Sequence, residues 1–310
     1  MKLTSLALAS VVAFSLPLTV RAQNYRVRTQ IDTTVRLDRN GIVDLSLISG
    51  RIRVTGWDRQ DVKLVASIDR GMLRFDANSS RVSLTVDESD DDDRHNHNVG
   101  DATYDVSVPR GSKLVLEAVS GDITATGSQG EIEASSVSGD VTVSNGAREV
   151  NAESVSGSVR ASQIAGNLRA ETVSGDVRAE SVSGNVEGSS VSGNLRLTNI
   201  TSRDVRTETV SGEILYTGNI DPAGKYSYES HSGNIRLNIP SNAGAQVSVE
   251  TFSGDVSSDF SATMVGGSKR RNGRFEFTIG DGKARITAQT FSGRIFINND
   301  SGSTTRRDDE

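Results

Sequence analysis

From Val119 onward, apolar and polar residues alternate in short bursts, and the bursts recur at a fixed distance. Ser-Gly pairs end at Gly121, Gly139, Gly157, Gly175 and Gly193, each eighteen residues apart, and continue at Gly212, Gly233, Gly254 and Gly293. Asn272-Gly273, followed by Arg274-Phe275, fills the one long gap as a degenerate copy and makes ten turns of one pattern. Weaker copies fall midway, at Gly130, Gly166 and Gly184, with Arg148 and Arg203 in the glycine's place. The elementary unit is therefore about nine residues long, and two units make the full repeat. Two residues after each origin the residue is always apolar: Ile123, Ile132, Val141, Val150, Val159, Leu168, Val177, Val186, Leu195, Val205, Ile214, Ile235, Val256, Phe275 and Ile295. β-Branched residues at a spacing of two predict strands with one buried face.

Nine is odd, so strict alternation would turn every second unit inside out. The phase must slip once per unit, and polar pairs such as Glu180-Ser181 or Glu171-Thr172 are the expected corners. One strand per unit and closure after two units predict an all-β fold. It is a two-sided β-solenoid (β-helix) with coils of about 18–21 residues stacked at the strand spacing of about 4.8 Å. A three-sided coil of three units competes, but the strong copies recur every two. The core is expected to be thin, because the position four after the origin is mostly alanine, as at Ala125, Ala134, Ala152, Ala161, Ala170 and Ala179. Glycine shares the parity of the buried positions, which suggests close approach of opposing strands or a bend. Towards the C-terminus, Phe252, Phe275, Phe291 and Phe296 suggest a core that widens.

Four segments follow from this pattern. Residues 1–22 read as a signal peptide, 23–117 as an irregular β-rich region, 118–298 as the solenoid and 299–310 as a disordered polar tail. Alternation in Val43-Asp44-Leu45-Ser46-Leu47 and in Val82-Ser83-Leu84-Thr85-Val86 makes the second segment β-rich. Such a segment can cover the open first coil, whose edge would otherwise recruit foreign strands. It is either a separate small domain or a set of irregular coils.

The first residues set the expected compartment. Lys2 precedes an apolar run from Leu3 to Val20, which closes on Val20-Arg21-Ala22 with small residues where a signal peptidase reads. Ser5, Ser10, Ser15, Pro17 and Thr19 make that run marginal as a membrane span. Cleavage after Ala22 removes Lys2 and Arg21 and takes the formal charge from -6 to -8. This reading predicts an exported chain, periplasmic, at the cell surface or secreted, with no integral membrane segment once processed. The absence of cysteine removes disulfides, thiolate metal ligands and a lipoprotein anchor. An acidic balance argues against nucleic acid as a partner, since such binding rests on neutralising phosphates.

The order of motifs carries a family resemblance. Ile48-Ser49-Gly50-Arg51-Ile52-Arg53-Val54 is followed by Gly56-Trp57-Asp58, then by Val108-Pro109-Arg110-Gly111-Ser112. Next come Leu114-Val115-Leu116-Glu117-Ala118-Val119-Ser120-Gly121-Asp122-Ile123 and the Ser-Gly-Asp-Val copies. This order resembles the bacterial "putative adhesin" family DUF4097, over most of the chain beyond residue 22. The resemblance implies a β-solenoid at the cell envelope and brings no catalytic residues with it.

No catalytic, cofactor-binding or metal-binding residue is assigned from the sequence. His95, His97 and His231 lack an acid and a nucleophile at recognisable spacing. His231 sits two residues before Gly233, a position read as buried, so a packed core histidine is expected there. The stretch from Asp87 to His97 is rich in acids but lacks the glycine turn of a calcium loop, and reads as solvated. Calcium-binding β-rolls use a Gly-Gly-x-Gly-x-Asp unit, which these repeats lack. Glu153 and Glu171 fall one coil apart, about the 5 Å of a retaining glycosidase pair. However, Glu117, Glu208, Glu229 and Glu250 share their column while Arg160, Arg178 and Arg196 form another, so salt-bridged surface columns are expected instead. The sequence therefore predicts a non-enzymatic exported adhesin or scaffold. Its partner would be an envelope protein, a surface glycan or a second copy of itself. The competing reading is a carbohydrate-active enzyme or glycan-binding protein on a β-helical frame.

Overall fold

Strands buried on one side and spaced nine residues apart have one economical arrangement, in which alternate strands stack into two facing sheets. The computed structural model describes residues 25–87, 99–260, 263–264 and 274–300, and its regular elements are all strands. The chain is a two-sided β-solenoid. In one sheet, Val141–Ser144, Val159–Ile164, Val177–Val182 and Leu195–Ile200 lie parallel, with Val177 between Val159 and Leu195. In the other, Ile132–Ser136, Glu149–Ser154, Asn167–Thr172 and Val186–Ser190 do the same, with Leu168 between Val150 and Val186. The predicted apolar positions from Ile123 to Ile235 are all buried, in two inward columns, one per sheet.

The two corners of a coil differ. On one, Asn145, Gln163, Ser181 and Asn199 take positive φ of 54–57°, six residues after successive glycines. That left-handed residue shifts the phase by one, so Ala179 and Val182 both point inward. Glu180-Ser181 is thus a corner, as the alternation required. Glu171-Thr172 is not: Thr172 is buried, and the slip falls in the Val173-Ser174-Gly175-Asp176 segment that follows it.

Stacking follows chain order in the middle and departs from it at both ends. Ile42–Trp57 pairs along nearly its whole length with Lys113–Thr126, and on its other side with Arg81–Asp87 and Ala102–Pro109. Met72–Ala77 and Tyr25–Arg28 then extend one sheet in antiparallel fashion, and Asp61–Ile68 and Gln30–Arg36 extend the other. At the far end, Ala284–Ser292 and Ile295–Asp300 lie between the coil of residues 225–240 and that of 245–258. Arg274–Ile279 runs antiparallel on Ala245–Ser253. Phe275 therefore belongs to a terminal antiparallel strand, and not to a further parallel turn.

The core widens through tyrosines, and of the four expected phenylalanines only Phe275 packs against it, half-buried. Tyr216, Tyr226 and Tyr228 are buried, with ring centroids 6.1 Å (Tyr216–Tyr226) and 5.4 Å (Tyr216–Tyr228) apart. Their coil runs twenty-one residues from Gly212 to Gly233, and its longer loop lets the Tyr216 and Tyr226 hydroxyls reach backbone partners. Tyr216 donates to the Asn219 carbonyl at 2.8 Å, while Tyr226 donates to the Ser202 carbonyl and accepts from Asp221 N–H. Burial raises all three phenol pKa values, keeping the hydroxyls neutral. Phe252 and Phe291 are exposed, and Phe296 lies on an outer face under Arg236 and Arg294.

Candidate interaction surface

The repeat gives three of its corner positions partners in neighbouring coils. Three residues before the glycine of each strong copy from Gly139 onward, Ser136, Ser154, Thr172, Ser190, Thr209, Ser230, Thr251 and Thr290 are buried. Thr172 Oγ1 donates to the Gly157 carbonyl one coil away at 2.9 Å and accepts from Gly175 N–H at 3.2 Å. Ser136 and Ser154 make the same pair of bonds. A buried hydroxyl with both capacities used joins neighbouring coils at no desolvation penalty. The restriction of this position to Ser and Thr in the eight copies from Gly139 onward, with Ala118 in the first, is the signal the spacing of apolar residues does not carry.

The glycine follows from the same corner. A Cβ on Gly157 would lie 2.1 Å from the Gly139 carbonyl oxygen, and one on Gly175 2.0 Å from that of Gly157. Close approach of successive coils, and not of opposing strands, excludes a side chain here. The residue after glycine closes the next gap. Asp122, Asp140, Asp176, Asn194 and Asn234 each accept a backbone N–H from an adjacent coil, at 2.8–3.0 Å. Asp140 also holds Arg160 at 2.6 Å. Burial pulls the Asp140 carboxyl pKa up, but the bonds from Arg160 and Ser158 N–H outweigh it and leave the pKa below the ordinary value.

Two positions are left over, the exposed serine before each glycine and the apolar residue before that serine. Two residues before each glycine, Val119, Val137, Val155, Val173, Val191 and Val210 point outward and are 44–49% exposed. His231, Phe291 and Phe252 continue the line, with rings stacked at 5.1 and 4.8 Å, and Phe252 is 79% exposed. His231 is therefore not a core histidine; the slip at this corner turns its position outward. The backbone of this apolar spine is paired between coils, as in the bond from Ser174 N–H to the Val155 carbonyl, so only its side chains face solvent.

The spine runs between two charged flanks. On one, Glu117, Ser135, Glu153, Glu171, Ser189, Glu208, Glu229, Gln289 and Glu250 occupy successive strands in register. Among the described residues, Glu208, Glu229 and Glu250 have no ion pair. They border a shallow groove of about 390 Å³ beside His231, Phe252 and Phe291. On the other flank, Arg160, Arg178 and Arg196 are stacked in register. Arg178 pairs with Asp176 at 2.9 Å, and Arg236 with Glu213. The arginines thus pair with acids of their own flank, where sequence reading expected the glutamate column. Glu153 and Glu171 are register partners, as predicted, within a column of like residues. The acidic stretch with His95 and His97 lies, apart from Asp87, outside the described residues.

No curated protein matches this chain. Among solved structures, a "putative cell adhesion protein" from Clostridium sporogenes is similar over 87% of this chain and 99% of that one, at 9% identity and a TM-score of 0.22. A likeness that faint bears on neither fold nor function. The sequence model of the Toastrack DUF4097 family matches residues 43–298. That span takes in the paired first coils, the Ser-Gly repeats and the intercalated last coil, and the chain belongs to the Toastrack DUF4097 family.

Proposed function

We propose that this chain is an exported, non-enzymatic protein of the cell envelope, an adhesin or scaffold that works by presenting repetitive side-chain ladders on a stiff rod. The observation that carries the reading is the spine with its flanks. Successive coils set chemically alike groups one strand spacing apart, about 4.8 Å, which suits multivalent contact. The carboxylates follow the same logic, since they form a column along a sheet face. A catalytic pair would instead need a cleft that holds substrate and excludes water. The leader-like residues 1–22 support export.

The test is fractionation of cells producing the tagged full chain, with mass measurement of the product. The expected product begins at Gln23, lies outside the cytoplasmic membrane, and hydrolyses no envelope glycan. Deleting the gene should weaken attachment of cells to surfaces or the integrity of their envelope. An uncleaved cytoplasmic product, or turnover of a glycan that is lost on replacing Glu153 and Glu171 with Gln, would overturn the reading.

A further inference from the structure

We propose that the apolar spine is a dimer interface, through which two copies of this chain pack side by side, pointing the same way, about a two-fold axis parallel to the rod. This builds on the reading of the chain as an interaction protein and names its partner. The starting point is the apolar one of the two outward positions at this corner. Hydroxyl, glycine and Asp or Asn all serve the joints between coils, whereas the residue two before glycine turns its side chain to solvent. Nothing in its own coil requires that side chain to be apolar, yet all nine copies are valine, phenylalanine or histidine. A continuous apolar strip of this kind on a polar rod marks a contact surface.

Periodicity identifies the occupant. The strip repeats at the coil rise of about 4.8 Å, so a partner that meets every step must carry the same rise. A second copy does so by construction, each valine seating against its counterpart, whereas an irregular surface meets only a few. The dimensions also suffice. Eight steps give a strip about 40 Å long, and two sheets about 10 Å apart with outward side chains make an edge about 20 Å wide. The product is about 800 Å² per partner, the size of a standard stable interface.

Charge selects the orientation. A two-fold axis along the rod brings the glutamate flank of one copy against the arginine flank of the other. Glu208, Glu229 and Glu250, which have no ion pair in their own chain among the described residues, then face the side bearing Arg196, which has none there either. An antiparallel pairing sets glutamate column against glutamate column and is disfavoured by like-charge repulsion. Parallel packing also places same-numbered coils opposite one another, so each spine residue meets its own counterpart.

The chain has no cysteine, so single-cysteine variants report the contact directly. Val137→Cys, Val173→Cys and Val210→Cys are each oxidised, resolved on a non-reducing gel and compared with sedimentation of the wild type. The wild type is expected to sediment as a dimer, and all three variants to cross-link to covalent dimers. Replacing Val155, Val173 and Val191 together with Asp should give a monomer with an unchanged circular dichroism spectrum. Cross-linking confined to one of the three cysteine positions would indicate antiparallel pairing and overturn the proposed geometry. A wild type that stays monomeric at the highest attainable concentration would overturn the dimer itself. So would a monomer whose spine binds a Lys/Arg-rich peptide, with binding lost in the triple variant, and the spine would then belong to a basic partner. An exported monomer sinks the dimer alone, and a cytoplasmic dimer sinks export alone.

Discussion

Val177 is buried between Val159 and Leu195, while Arg178 beside it is half exposed and paired with Asp176. A carboxylate at position 177 has no counter-charge in its column and costs several kcal/mol unless it takes up a proton. Val177→Asp should therefore lower the melting temperature sharply, and Arg178→Asp should cost under about 1 kcal/mol. Equal melts would mean that the inward and outward faces are exchanged. The hydroxyl ladder makes a second comparison possible. Thr172→Val keeps the shape but strands the Gly157 carbonyl and Gly175 N–H, a loss of about 1–3 kcal/mol, whereas Thr172→Ser should be nearly neutral. Denaturant midpoints separate the two. Glycines divide in the same way. Gly157→Ala drives a methyl group into the backbone of the adjacent coil, but a Cβ on Gly188 meets only Thr207 and Leu195 side chains, at 3.8 and 3.9 Å. Gly188 pairs with Ala170 in the neighbouring strand, so Gly188→Ala should be neutral or stabilise by up to about 1 kcal/mol.

The coil is the element of this protein, and its joints are polar as well as apolar. The Asp140 carboxylate joins two coils through Ser158 N–H and Arg160. Its pKa in the folded chain is depressed, so it contributes stability above the unfolded-state value of about 3.9. That contribution disappears as pH falls through the lower folded-state value. Asp140→Asn keeps an acceptor for Ser158 N–H and loses the charge. The variant should therefore melt slightly below wild type at neutral pH, and the gap should close under acid. A gap that widens with acid would show that the sign is wrong. Coils also behave as modules. Removing residues 158–175 joins Gly157 to Asp176 in unchanged register and should leave a shorter, cooperative rod. Removing only residues 158–166 places a strand of one sheet where the other belongs, and should produce a protease-sensitive chain.

Across the whole molecule, the two ends are built differently from the middle. Central coils touch only their sequence neighbours, but the last described coil lies between two earlier ones. Truncation after Lys283 thus removes an interior layer and leaves residues 245–258 without their parallel partner. It should cost far more than the loss of a terminal turn would, with proteolysis spreading through residues 241–282. A truncated chain that melts like the full one would contradict the intercalation. Antiparallel strands cover the edges of the first coils, and Arg274–Ile279 covers one sheet edge at the other end, where exposed parallel strands would otherwise recruit foreign ones.

Periodicity alone determined the secondary structure, the two-unit coil, the buried columns and the register that aligns Glu153 with Glu171. Each of these depends on neighbours nine or eighteen residues away, and such local relations are written directly in the spacing. Two things depended on the tertiary structure. The direction of the residue before Ser-Gly turns on where within the corner the phase slips, and alternation is silent about that location. His231, Phe252 and Phe291 were accordingly read as core and are spine. The order of the coils at each end depends on which strand edges are free when the chain returns to them. Identical repeats offer equivalent edges, so spacing cannot say that residues 284–300 enter beneath residues 245–258. Pairing across three dimensions decides it, and with it the line of apolar side chains that no coil uses for itself.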